Sequence, residues 1–224
     1  MKPVRRAARG VWALVTGVVL ATVVELTPAA AYGGDDDGDR ARCLAVIARA
    51  NADLGSFTAR VRQTKKLALL EQPLESTGRL TFKRPNRIAW RIDEPTALRV
   101  IIDGDRLSIP GIATDDAIPA AIGPSALLRR LGAVFTGNIE ALTDAFDVTA
   151  SCHENSADVM LSALTPELKI SVSSLALELA GPELFVQSIR MTNGVGDSLE
   201  LRLHDVERNA TIPDAAFSTD DAPP

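Results

Sequence analysis

The sequence predicts an α+β protein: one curved antiparallel sheet with an apolar cavity left beneath short helices. Three observations carry this. Apolar residues alternate with polar ones in stretch after stretch between Phe57 and Leu203, the period of half-buried strands. The helical period occurs in only two short segments, around Cys43–Leu54 and Leu127–Phe135. The pairs Asp103-Gly104, Gly181-Pro182 and Asn193-Gly194 punctuate the strands as short turns between antiparallel neighbours do. A sheet with one apolar face needs a cover on that face, and two short helices cover little.

Before the first strand, residues 1–31 read as an export leader. Lys2, Arg5, Arg6 and Arg9 precede an uncharged run from Val11 to Val24, and Pro28 and Ala29 to Ala31 follow as an A-x-A cleavage site. The run is shorter than the roughly 20 residues a spanning helix needs, and Glu25 ends it. A soluble periplasmic protein beginning at Tyr32 is therefore expected. Residues 32–38, with Asp35, Asp36 and Asp37 among glycines, read as a flexible acidic N-terminus, and residues 219–224 as a flexible tail. The domain proper is expected over residues 39–218.

Within it, Asp39 is placed to cap a helix on which Cys43, Leu44, Ile47, Ala50 and Leu54 share a face, with Gly55 ending it. Phe57, Ala59 and Val61 open the first strand. Arg79–Lys83, Arg87–Ile92, Leu98–Ile102 and Leu107–Ile109 continue an antiparallel meander. From Gly111 to Gly123 the pattern lapses, and Ser125–Phe135 reads as a short amphipathic helix bearing Leu127, Leu128, Leu131, Val134 and Phe135. Alternation returns at Val159 and Leu161, Ile170 and Val172, Leu175 to Leu179, Val186 and Ile189, and Leu199 to Leu203.

The chain's 46% apolar residues supply a core and exclude disorder. A net charge of -5 argues against a surface that grips nucleic acid. Two cysteines and two histidines are too few for a zinc framework, so neither metal nor cofactor is expected. No G-x-S-x-G, P-loop or G-x-G-x-x-G is present, and no serine is marked as a partner for His204 and Asp205, so no catalytic residues are assigned. Cys43 and Cys152 suit an oxidising compartment, as a disulfide or as two buried thiols.

The most informative stretch is Gly78 to Trp90. Leu80 and Phe82 share one strand face with Arg84, and after the Pro85-Asn86 turn Ile88, Trp90 and Ile92 form the next apolar row. Together with Val61 these rows are the expected cavity lining. Arg84 at the end of such a row has two readings: a side chain snorkelling to water, or a donor latching a covering helix, the insertion helix or the segment before it, through backbone carbonyls.

These residues resemble the LolA family of periplasmic outer-membrane lipoprotein carriers. The resemblance runs from Ser56-Phe57-x-Ala59-x-Val61-x-Gln63-Thr64 through Gly78-x-Leu80-x-Phe82-Lys83-Arg84-Pro85-Asn86 and Trp90 to Asp103-Gly104, and ends at Asp205-Val206, Asn209, Ile212-Pro213 and Phe217. It implies an open half-barrel under helices, a cavity for acyl chains and, at Arg84, a latch to lid carbonyls. It also implies lipoprotein or other lipid cargo, taken from an inner-membrane ABC transporter and passed to an outer-membrane acceptor by a monomer without covalent chemistry. The sequence departs from the family in its few aromatics, its insertion and its two cysteines, so a glycolipid or a polyene lipid stands beside lipoprotein as cargo. The alternatives are a periplasmic lipid-sensing regulatory domain, a lipid hydrolase and a purely structural β protein.

Overall fold

The computed structural model describes residues 36–104, 106–110 and 132–218. The expected leader, the start of the acidic stretch, the first turns of the insertion helix and the tail lie outside these residues.

Helix α1 spans Asp36–Ala50. It begins three residues before the expected cap at Asp39, because acidic side chains favour the positive end of a helix dipole and Asp37 and Asp39 fall in its first turns. Asp37 also pairs with Arg40 one turn on, at 3.3 Å. The helix stops at Ala50, and a turn over Asn51–Asp53 leads to Gly55.

Strands β1 (Ser56–Lys66), β2 (Leu74–Lys83), β3 (Arg87–Glu94), β4 (Leu98–Asp103) and β5 (Arg106–Ser108) form the expected meander. After the insertion come β6 (Phe146–Cys152), β7 (Ser156–Ala163), a short helix α2 (Pro166–Ser171), β8 (Ser174–Ala180), β9 (Phe185–Thr192) and β10 (Ser198–Arg208). All ten strands join one antiparallel sheet in the order β5-β4-β3-β2-β1-β10-β9-β8-β7-β6, so β1 and β10 lie side by side at its centre and β5 and β6 are its edges. The sheet is curved but not closed, an open half-barrel.

Three register shifts give that curvature physical sources. Thr77 pairs with Glu94 but Gly78 with Ile92, so β3 carries an extra residue. Glu178 pairs with Ser188 but Leu179 with Val186, and β9 carries another. On β10 the extra residue falls at Asp205, whose φ is 50°. Each such bulge bends its strand and increases the local twist. Gly78 is required at its bulge, since a Cβ there would lie 1.9 Å from the carbonyl oxygen of Arg91.

Two segments differ from the sequence expectation. Ile170 and Val172 imitate a strand, yet Pro166–Ser171 is helical. Thr165 accepts a hydrogen bond from the Leu168 N–H, Pro166 occupies the first turn and Glu167 adds an acid there, a complete helix start that overrides two alternating apolar residues. Strand β6 went unread because Val148 is its only apolar residue between Phe146 and Ala150. It pairs with β7 from Phe146↔Ala163 to Cys152↔Ala157.

The concave face is filled in one half by α1. Leu44, Ile47 and Leu54 pack on a quartet of rings in which Phe57 lies 5.5 Å from Phe82, 5.1 Å from Phe135 and 5.1 Å from Phe185. On the convex side the C-terminal segment covers Ala89 and Ile101 with Ile212 and Phe217. Asp214 fastens this segment through Lys83 at 2.9 Å and Arg87 at 2.7 Å, and those two hydrogen bonds hold its carboxyl below the usual range.

Candidate functional site

Beyond the ring quartet, the other half of the concave face is hollow. A cavity of about 580 Å³ lies there. Leu80, Ile88, Trp90, Val100 and Ile102 line it from β2, β3 and β4. Ile189, Met191, Leu199 and Leu201 face them from β9 and β10, with Val172 and Leu175 beside α2 and Phe135 at the inner end. The strands position these side chains by alternation: Leu80 is opposite Trp90 and Trp90 opposite Val100, so one inward row crosses three strands. Trp90, Val100, Met191, Leu199 and Leu201 are only half-buried, so the hollow presents apolar surface that the described residues do not cover.

Polar residues gather where the cavity reaches the strand ends: Gln63, Lys65, Ser171, Asn193, Asp197 and Ser198. Asp197 fixes this rim. Its carboxylate accepts from the Ala68 N–H at 2.8 Å and from the Asn193 amide at 3.1 Å. The backbone hydrogen bond, then the amide, hold its pKa below the ordinary aspartate value despite some desolvation.

The six residues expected to line the cavity separate. Leu80, Ile88 and Trp90 are on its wall. Val61 and Phe82 are in the packed core, and Ile92 is half-buried outside the wall. Periodicity assigns a residue to the inward face, but that face runs from the filled half to the hollow half. The β8 to β10 side of the wall was not identified from sequence, although Leu175, Leu199 and Leu201 carry the same alternation.

Arg84 lies one residue beyond β2 and is exposed rather than in line with Leu80 and Phe82. Among the described residues its acceptors lie in the turn after α1 rather than on the insertion. Nε donates to the Leu54 carbonyl, and Nη2 donates to Asn51 at 3.1 Å and Ala52 at 3.2 Å. These carbonyls belong to the turn that follows α1, so among the described residues the expected latch to the insertion is corrected to one on the turn that ends α1. Arg208 reaches the same place from β10, donating to Asn51 Oδ1 at 3.3 Å, while the buried Asn51 amide donates to Ile47, Glu183 and Leu184.

Asn86 holds the described end of the insertion. Its Oδ1 accepts from the Gly132 N–H at 3.2 Å and its Nδ2 donates to Gly104 at 3.0 Å, joining two turns and the helical residues at 132–135 at one buried amide. Gly132 permits this approach, since a Cβ there would stand 2.8 Å from the Pro85 carbonyl oxygen. An asparagine after proline reads as a turn residue, which hid its second task. Cys43 of α1 is bonded to Cys152 at the end of β6, with the Cα atoms 5.4 Å apart.

These features define the class of open β half-barrels whose concave face encloses an apolar cavity. The model of the family described as outer membrane lipoprotein carrier protein LolA matches residues 52–220. The chain belongs to the LolA family. It is similar to outer-membrane lipoprotein carrier proteins of two Pseudomonas putida strains. One, from strain W619, is 23% identical over 65% of this chain and 67% of the relative. The other, from strain GB-1, is 21% identical over 91% and 93%. Among solved structures, MucB is similar with a TM-score of 0.50 and 12% identity, over 81% of this chain and 62% of MucB, so the chain spans about three fifths of that protein.

Proposed function

We propose that this chain is a periplasmic carrier that shelters the acyl chains of a lipoprotein or another lipid and moves them from the inner to the outer membrane. The observation that carries the reading is the apolar hollow of about 580 Å³, within the size range of ligand sites, in a fold whose other half is fully packed. A lipid anchor in water costs about 0.8 kcal/mol per exposed methylene, so a dry container is what a crossing requires. The reading includes export after the leader at residues 1–31, a carrier domain over residues 39–218, loading by an ABC transporter, delivery to an outer-membrane acceptor, and action as a monomer that performs no catalysis. The relatives' names as lipoprotein carriers support it.

The test is uptake of a fluorescent long-chain acyl probe by the purified, exported chain, with Leu201→Trp as comparison. Leu201 is half-buried on the cavity wall, so an indole there occupies the hollow without disturbing the ring quartet. Saturable uptake by wild type, reduced about tenfold or more in Leu201→Trp, supports the carrier. No uptake by either overturns it.

A further inference from the structure

Among the described residues, eight large apolar side chains are exposed, and six of them lie at one end of the sheet: Leu69, Leu70 and Leu74 around the β1–β2 loop, Leu164 and Ile170 before and in α2, and Val195 in the β9–β10 turn. That end is the one where the cavity reaches the strand ends, at Lys65, Asn193 and Asp197. Singly exposed apolar residues scattered over a surface need no explanation, but six gathered on one rim do.

The loops that carry them are tied together. Asp197 accepts from the Ala68 N–H at 2.8 Å, joining the β1–β2 loop to the β9–β10 turn. The Gly194 N–H donates to the Ile170 carbonyl at 3.3 Å, joining that turn to α2. Gly194 is needed there, because a Cβ would lie 2.8 Å from the Lys169 carbonyl oxygen. Two hydrogen bonds thus hold three loops as one frame, from which Leu69 projects at 97% exposure, Val195 at 70% and Ile170 at 64%.

We infer that this rim docks on the surface of a phospholipid bilayer, with the apolar tips inserted at the boundary of headgroups and acyl chains and the cavity turned toward the membrane. The inference rests on the carrier reading above and specifies how that carrier meets lipid. A bilayer is the occupant the rim fits. Separate projecting tips enter a fluid acyl boundary without shape complementarity, whereas a protein interface is assembled from closely packed, complementary surfaces. The rim is also continuous with the apolar hollow, so a seated rim gives an acyl chain a path that avoids water. Lys65, Lys66 and Lys169 stand beside the tips, where ammonium groups meet lipid phosphates, while Glu71, Glu75 and Glu167 offset them. The tips, rather than net charge, therefore carry most of the binding.

The test is flotation of the exported chain with vesicles of phosphatidylcholine containing about one quarter phosphatidylglycerol, a composition that presents anionic headgroups. Wild type is expected to float with the vesicles. Leu69→Ser/Leu70→Ser should weaken vesicle affinity about a hundredfold, as loss of two inserted leucines at about 1.5 kcal/mol each implies, and Met160→Ser, on the outer face of β7, should leave it unchanged. Uptake of the acyl probe by Leu69→Ser/Leu70→Ser should match wild type, which shows that the fold and the cavity persist and separates failure of docking from failure of the carrier reading. Equal flotation of wild type and the double variant, or no flotation of either, overturns the inference. So does a wild-type dimer that the double variant abolishes, since the rim would then be a contact between copies.

Discussion

Arg84 and Asn86 sit two residues apart and hold different elements. The guanidinium of Arg84 gathers three carbonyls of the segment just after α1, and the amide of Asn86 takes the Gly132 N–H of the insertion. Arg84→Leu should therefore destabilise the chain by about 1 to 2 kcal/mol, the low end for charged donors because the side chain is exposed. Urea unfolding measures this. Arg84→Lys should recover only part, since an ammonium cannot reproduce the fork. An insertion-helix latch would instead leave global stability near wild type. At the rim, Asp197 has a lowered folded pKa, so its contribution is present above the ordinary value of 3.8 and is lost as pH falls through the lower folded value. The stability difference between wild type and Asp197→Asn should be constant near neutral pH and shrink below about pH 4. A difference that grows on acidification would contradict this assignment.

At the scale of elements, α1 is fastened in two places: to β6 by the Cys43 disulfide and the Arg40 hydrogen bond to the Val148 carbonyl, and at its C-terminus by Arg208 on the Ala50 carbonyl and Arg84 on the turn that follows. The disulfide closes a separation of 109 residues. In the chain-entropy model a loop of that length contributes roughly 4 to 5 kcal/mol, and real bridges often less. Cys43→Ser/Cys152→Ser should lower the urea midpoint accordingly, and hydrogen exchange in α1 should accelerate more than in β8 and β9. Uniform acceleration would mean that the bridge stabilises the whole chain without specifically holding the helix. Most strands were legible because alternation is a strong signal when one face is buried, as in Val159, Leu161, Leu175 and Leu177. Helix α2 was misread and β6 missed for the opposite reasons: a short apolar pair can mimic a strand, and an edge strand with two inward side chains hardly shows the period. The site was half legible. Alternation names Leu80, Ile88 and Trp90 as inward, but how deeply α1 and the phenylalanines fill the barrel is a packing outcome, and it removed Val61 and Phe82 from the wall.

For the whole molecule, the division of one concave face into a packed half and a hollow half is the central feature. The packed half, with four phenylalanines under a doubly fastened helix, gives the sheet its stability. The hollow half leaves Trp90, Val100, Met191 and Leu201 partly uncovered, a cost in stability that an occupant removes. A bound lipid should accordingly raise the unfolding midpoint of wild type and leave Leu201→Trp unmoved. The measurement that tests the account most directly is mass spectrometry, under native conditions, of the chain isolated from its host. The account expects a population carrying a lipid with long acyl chains, lost in Leu201→Trp. A chain isolated wholly free of acyl-bearing ligand, or carrying as much in Leu201→Trp as in wild type, would contradict it.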